Sequence, residues 1–86
     1  MNSNDVIFYP LMTESSSLMV ERDNKLVFIV NKKAGKTDVK RAVEELYEVK
    51  VTRITMQTTH KGEKKAFVRV HPEFKASDVA IKLGIL

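Results

Sequence analysis

The stretch that most constrains this chain is Leu26-Val27-Phe28-Ile29-Val30, five consecutive large apolar residues. Successive side chains of a strand point to opposite faces, so a run that is apolar at every position has to be covered on both. Such a run marks a central strand, and the rest of the domain has to be layered around it. It is far too short to cross a bilayer. The chain has 86 residues, which allows one domain with a modest core, and a partner is expected to add to its working stability. Cysteine is absent, so disulfides and thiolate metal sites are excluded. The opening residues MNSND carry an acid and no Lys or Arg, unlike a secretory signal, and a soluble intracellular protein is expected.

The other elements follow from period and punctuation. Val6 to Tyr9 reads as a short strand that Pro10 ends, since proline cannot donate to a ladder. Thr13 can cap a helix to about Arg22, with Leu18 and Met19 inward, and Asp23-Asn24 is a turn. After the apolar run, which extends to Asn31, Thr37 can cap a helix to about Glu48 with Asp38 in its first turn. Val39, Ala42, Val43, Leu46 and Tyr47 form one apolar stripe on it, and Arg41, Glu44, Glu45 and Glu48 lie off that stripe. A strand over about Lys50 to Thr59 alternates Ile54 and Met56 with Arg53, Thr55 and Gln57. The turn His60 to Glu63 leads into a strand from Lys64 to Val70, which makes a hairpin. Pro72 stops it. A last helix over Ala76 to Leu83 turns Val79, Ala80 and Leu83 inward and ends at Gly84. The predicted fold is α/β (α+β), one domain over residues 1–86, in the order β-α-β-α-β-β-α.

Two motifs invite a functional reading and fail a closer test. Gly35-Lys36-Thr37 matches the end of a nucleotide-binding P-loop, G-x-x-x-x-G-K-[ST], but the first glycine is replaced by Val30. No following strand ends in an Asp for magnesium. Lys36 still stands where a helix N-terminus offers amides to an anion. Ala66-Phe67-Val68 fits the middle of the RNA-recognition signature, yet its other aromatic positions hold Lys65 and Val70. Phe67 alone is expected in the core rather than on a stacking platform. His60 and His71 lack metal-ligand spacing, and the serine cluster has no nucleophile elbow. No catalytic residue, metal or cofactor is expected.

What remains is charge. Residues 1–24 hold Asp5, Glu14, Glu21 and Asp23 against Arg22, a balance of −3; residues 25–86 hold fourteen Lys or Arg against seven acids, a balance of +7. A basic body suits a polyanion, and the acidic leading segment should turn away from it. The candidate RNA-contacting residues are Lys32, Lys33 and Lys36 in the loop, Lys40 and Arg41 in the helix, Lys61, Lys64 and Lys65 about the hairpin turn, and Arg53 and Arg69 on its strands. Few aromatics accompany them, so phosphate and shape recognition of a structured RNA is expected.

Four segments carry a resemblance to a known family: YPLMTES (Tyr9 to Ser15), NKLVFIVNKKAGKTDVKRAVEELYEVKV (Asn24 to Val51), GEKKAFVRV (Gly62 to Val70) and the ending ASDVAIKLGIL. The chain resembles ribosomal protein L23 of the large subunit in its archaeal form, over nearly its whole length. The family normally has Lys after the T-E pair, where this chain has Ser15. The resemblance implies a mainly antiparallel sheet in a split β-α-β arrangement, with helices packed on it. It implies a cytoplasmic, non-catalytic ribosomal protein that binds large-subunit ribosomal RNA beside the exit of the polypeptide tunnel. Implied partners are ribosomal protein L29, the signal recognition particle or other nascent-chain factors, and the translocon, without membrane insertion. Glu14 falls at the family's docking carboxylate. The short turn at His60 to Glu63 leaves no room for the long hairpin of bacterial members. Two other classes stay open on the residues alone: a free-standing RNA-binding regulator, and a protein-only module whose basic face meets acidic partners.

Overall fold

A computed structural model describes residues 3–11 and 13–83, with side chains from residue 5 onward. Eight elements follow in order: α1 (Ser3–Val6), β1 (Ile7–Pro10), α2 (Glu14–Asp23), β2 (Lys25–Val30), α3 (Lys36–Tyr47), β3 (Val51–Thr58), β4 (Lys64–Val70) and α4 (Ala76–Leu83). The predicted order of the seven larger elements holds. The helical turn α1 is an addition, and it takes Val6 out of the first strand. The four strands form one sheet in the order β1-β2-β4-β3, antiparallel at every pair. β2 and β3 therefore run parallel to each other on either side of β4, the split β-α-β arrangement.

β2 is central, as its apolar run requires. Leu26 to Val30 are all buried. Leu26, Phe28 and Val30 join a core with Val39, Ala42 and Val43 of α3, Ala66, Val68 and Val70 of β4, and Val79 and Ala80 of α4. Val27 and Ile29 face the other way and are buried there. Tyr47 lies parallel to Phe28 with ring centroids 5.7 Å apart. Such a stack adds about 0.5–1.5 kcal/mol beyond its buried area. Tyr47 thus closes the end of the stripe over Phe28, and Leu46, expected inward, is 40% exposed.

Three other expectations need correction. Pro10 does not end β1 from outside but is its last residue, opposite Phe28. β1 is an edge strand, where a missing amide is tolerated. α2 does start after Thr13, yet Leu18 is 41% exposed, and Ser16 and Val20 point inward instead. Ser16 can be buried because its hydroxyl is fully used: it donates toward the carbonyl oxygens of Leu11 and Thr13, both at 2.9 Å, and accepts from the Thr13 amide at 2.8 Å. That reciprocal cap turns the inward face of the helix away from Leu18. In α3 the cap is Gly35, not Thr37, because the Asp38 carboxylate accepts the Gly35 amide at 3.0 Å and the helix begins at Lys36. For α4, Ala76, Val79 and Ala80 are buried and Leu83 packs against the core as expected; Gly84 lies outside the described residues.

Asn24 ties the far ends of the chain together. It adopts the left-handed conformation (φ 55°, ψ 39°) that closes α2, and its amide reaches the Met19 carbonyl. Its side-chain amide donates to the carbonyls of Val70 (3.0 Å) and Phe74 (2.9 Å), while its oxygen accepts the Ala76 amide at 2.6 Å. One residue thus ends α2, holds the exit of β4 and starts α4. Asn24→Ala is expected to destabilise the domain by about 2–4 kcal/mol, combining three lost bonds with left-handed strain. Asn24→Gly removes the strain alone and should recover about 1 kcal/mol of that loss. Urea titration of both variants measures the split.

Candidate nucleic-acid interface

The ten cations expected to meet RNA do not form one patch. The structure sorts them into three groups, with Arg41 apart.

The first group lines a groove. α3 begins at Lys36, so Lys36 and Lys40 stand one turn apart on the same face. With Arg53 they line an open groove of about 270 Å³ between the start of α3 and β3, the outer strand of the sheet. Its floor is Val51 and Ile54. A register shift between Val51 and Arg53 bends β3 at this point. The Glu44 carboxylate, read from sequence as ordinary helix-face charge, accepts the Val51 amide at 3.0 Å and pins the start of the strand to α3. Arg41 lies on the outer side of α3, beside Glu44 and Glu45, where charges are mixed.

The second group surrounds the hairpin tip. Asn31 organises the loop after β2: its side-chain oxygen accepts the Lys33 amide at 3.0 Å and its carbonyl accepts the Ala34 amide at 3.0 Å. Lys32, Lys61 and Lys64 line a cleft with Tyr9 and Glu63. The Tyr9 hydroxyl donates to Glu63 Oε2 at 2.7 Å, and that carboxylate holds the phenol pKa above its ordinary value. Lys64 is not a free cation. Its ammonium donates to the carbonyl oxygens of Ala34 (2.8 Å) and Lys32 (3.4 Å), so it fastens the loop that presents Lys32, Lys33 and Lys36. Gly62 has φ +84°, and a Cβ there would meet Lys32 Nζ at 3.3 Å.

The third group lies on the sheet face opposite the core. Arg69 of β4 pairs directly with Lys25 of β2 on one side and with Arg53 of β3 on the other. Like charges opposite one another cost about 0.2–1 kcal/mol per pair in a free sheet. Lys65 lies on the same face of β4, with Phe67 between it and Arg69. Lys25 was not among the sequence candidates. Its period places it on that face, but only the strand register sets it beside Arg69. Among the described residues none of these cations has a carboxylate partner.

Glu14 is exposed at the first position of α2, after the Thr13 cap. The P-loop comparison ends in the structure too: Val30 is fully buried at the end of β2, and the segment before α3 is a short turn rather than a phosphate-wrapping loop. No helix among the described residues is long and apolar enough to cross a membrane.

The small split β-α-β domain thus carries, among the described residues, cations without carboxylate partners along one groove and across one sheet face. The family model described as Ribosomal protein L23 matches residues 5–84. The large ribosomal subunit protein uL23 of Methanococcus aeolicus is 46% identical over 85 residues, 99% of each chain. That of Methanothermobacter thermautotrophicus is 44% identical over 80 residues, 93% of each chain. The chain belongs to the ribosomal protein L23 family, whose members are structural proteins of the ribosome and not enzymes. Both relatives are archaeal, in keeping with the short hairpin turn.

The two kinds of lysine can be told apart by stability. Lys64→Ala should cost about 1 kcal/mol by releasing the loop, a fall in Tm of several degrees. Lys36→Ala should stay within about 0.5 kcal/mol of wild type, as for an exposed side chain without a partner. Thermal melts of the isolated protein make the comparison.

Proposed function

We propose that this protein is a structural component of the large ribosomal subunit that binds its ribosomal RNA near the exit of the polypeptide tunnel. In this reading it also forms part of the docking site for nascent-chain factors, next to ribosomal protein L29. The observation that carries the RNA half is the set of cations without carboxylate partners: Lys36, Lys40 and Arg53 along the groove, and Lys25, Arg69 and Arg53 side by side across the sheet. Cations at such spacing repel one another in the free protein. A strand of phosphates relieves that repulsion and releases its own counterions. Lys32, Lys33 and Lys61 extend the basic surface to the hairpin tip. A free-standing regulator would use the same residues, and a protein-only module would need acidic partners for them. Family membership favours the ribosomal reading over both. Co-sedimentation with the large subunit in high salt separates it from them.

The docking half rests on α2. Its segment carries the acidic balance of the chain, and Glu14 stands exposed in the first turn. The helix dipole favours a carboxylate there and keeps it in place. In this reading Glu14 receives a basic group of a factor such as the signal recognition particle on the exposed start of α2. The translocon would approach the same surface.

Two measurements test these halves. Changing Lys36, Lys40 and Arg53 together to Gln should weaken binding to large-subunit ribosomal RNA and flatten the slope of log affinity against log salt by about 1–3 units. An unchanged slope would remove the groove from the interface. Glu14→Lys should leave ribosome assembly intact and weaken factor binding, because a like charge then faces the partner. If Glu14 only caps the helix, factor affinity stays constant and the domain loses about 0.3–1 kcal/mol.

A further inference from the structure

Phe67 is the aromatic of β4 on the sheet face opposite the core, and the phosphate contacts leave its chemistry unused. β4 alternates Ala66, Val68 and Val70 into the core with Lys65, Phe67 and Arg69 on the opposite face. The sequence expectation that Phe67 joins the core is therefore wrong: it is half-buried on the other side, between Val27 of β2 and Thr55 of β3. Together with Val27, Leu11 and Met19 it lines a cleft of about 130 Å³ between the sheet and α2, with Lys65 and Ser15 also contributing.

Three observations narrow the occupant. The cleft is well below the roughly 300–1,000 Å³ of pockets for drug-sized ligands, and an α-helix is about 10–12 Å across. It suits a single flat ring, not a segment of secondary structure. Its walls mix apolar Leu11, Met19, Val27 and Phe67 with the hydroxyl-bearing Thr13, Ser15 and Ser16, and cations flank the aromatic: Lys65 and Arg69 lie two residues to either side of Phe67 on the same face, about 7 Å along the strand. Arg69 leads directly to Lys25 and Arg53. The acids of the neighbouring helix, Glu14 and Glu21, do not line the cleft. An aromatic face beside a row of cations matches a ring that carries phosphates at its ends.

We propose that this cleft holds one unstacked nucleobase of ribosomal RNA against the ring of Phe67, with Lys65 and Arg69 on the flanking phosphates. The proposal rests on the RNA-binding reading above and narrows it to one nucleotide. An apolar side chain of a neighbouring ribosomal protein is the competing occupant.

The test uses the full chain and deproteinised large-subunit ribosomal RNA from Methanococcus aeolicus, titrated over a series of salt concentrations. Phe67→Leu should weaken binding about 5- to 100-fold, the range for losing one stacked base, with the salt slope unchanged. Phe67→Tyr keeps the ring and should bind like wild type. Ultraviolet cross-linking of the wild-type complex should attach a nucleotide to the peptide that contains Phe67, which needs no variant to fold. Equal affinity of Phe67→Leu and wild type overturns the proposal. So does an equal loss in both variants, or a cross-link confined to other peptides. Large subunits carrying Phe67→Leu that keep their RNA contacts but lose a neighbouring protein would assign the cleft to that protein instead. If wild type itself shows no salt-dependent binding, the RNA reading as a whole fails; if it binds and Phe67→Leu is silent, only the cleft assignment fails.

Discussion

The domain depends on β4 being paired along both edges. Six of its residues face β2 and seven face β3, from Lys64 to Val70. β2 and β3 are not paired with each other, so β3 joins the rest of the sheet only through this segment. The same pairing aligns Ala66, Val68 and Val70 beneath the helices, and it brings Lys25, Arg69 and Arg53 into a line on the far side. Asn24 secures the arrangement at one end by accepting and donating at the exit of β4. Lys64 secures it at the other by fastening the loop before α3. Both fastenings join residues far apart in the chain, and both stand next to basic residues that the fold leaves without carboxylates.

This layout divides labour between two kinds of charge. Three carboxylates are used within the protein: Asp38 on the start of α3, Glu44 on the first amide of β3, Glu63 on Tyr9. Among the described residues, the cations of the groove and the sheet face have no carboxylate partner. A protein that was only a self-contained unit would gain from pairing the two sets. Here α2, which carries Glu14, Glu21 and Asp23, is set against β2, and the groove and sheet face stay basic. The proposed function would give this separation a purpose, since a protein held between RNA and a basic factor would need surfaces of opposite sign.

Much of the fold could be read from residue order. The unbroken run of Leu26 to Val30 announced the central strand, the stripe from Val39 announced α3, and a short polar turn announced the β3–β4 hairpin. Each of these is a local signal with a fixed period. The errors arose where a tertiary partner or a side-chain bond decided between local options. Asp38 reached back to Gly35 and moved the start of α3 ahead of Thr37. The Thr13–Ser16 cap committed a serine to the interior and left Leu18 outside. Phe67, an aromatic without the other two of a stacking platform, reads as core, although its alternation with Ala66 and Val68 puts it on the other face. At the site, the cationic residue types were legible and their grouping was not. Lys25 became a neighbour of Arg69 only through the register of two strands more than thirty residues apart, and the role of Lys64 appeared only with the loop it holds.

The late position of β4 in the chain has a consequence in time. β2 leaves the peptidyl-transfer centre well before its partner does, and Val70 follows Val30 by forty residues. At synthesis rates of about 5–20 residues per second, that interval is roughly 2–8 s. Throughout it, the most apolar segment of the chain has an open edge facing β4's future place, a template for pairing with other chains. β1 can cover only the opposite edge. Each new copy therefore passes through a brief, unprotected stage before its sheet can close.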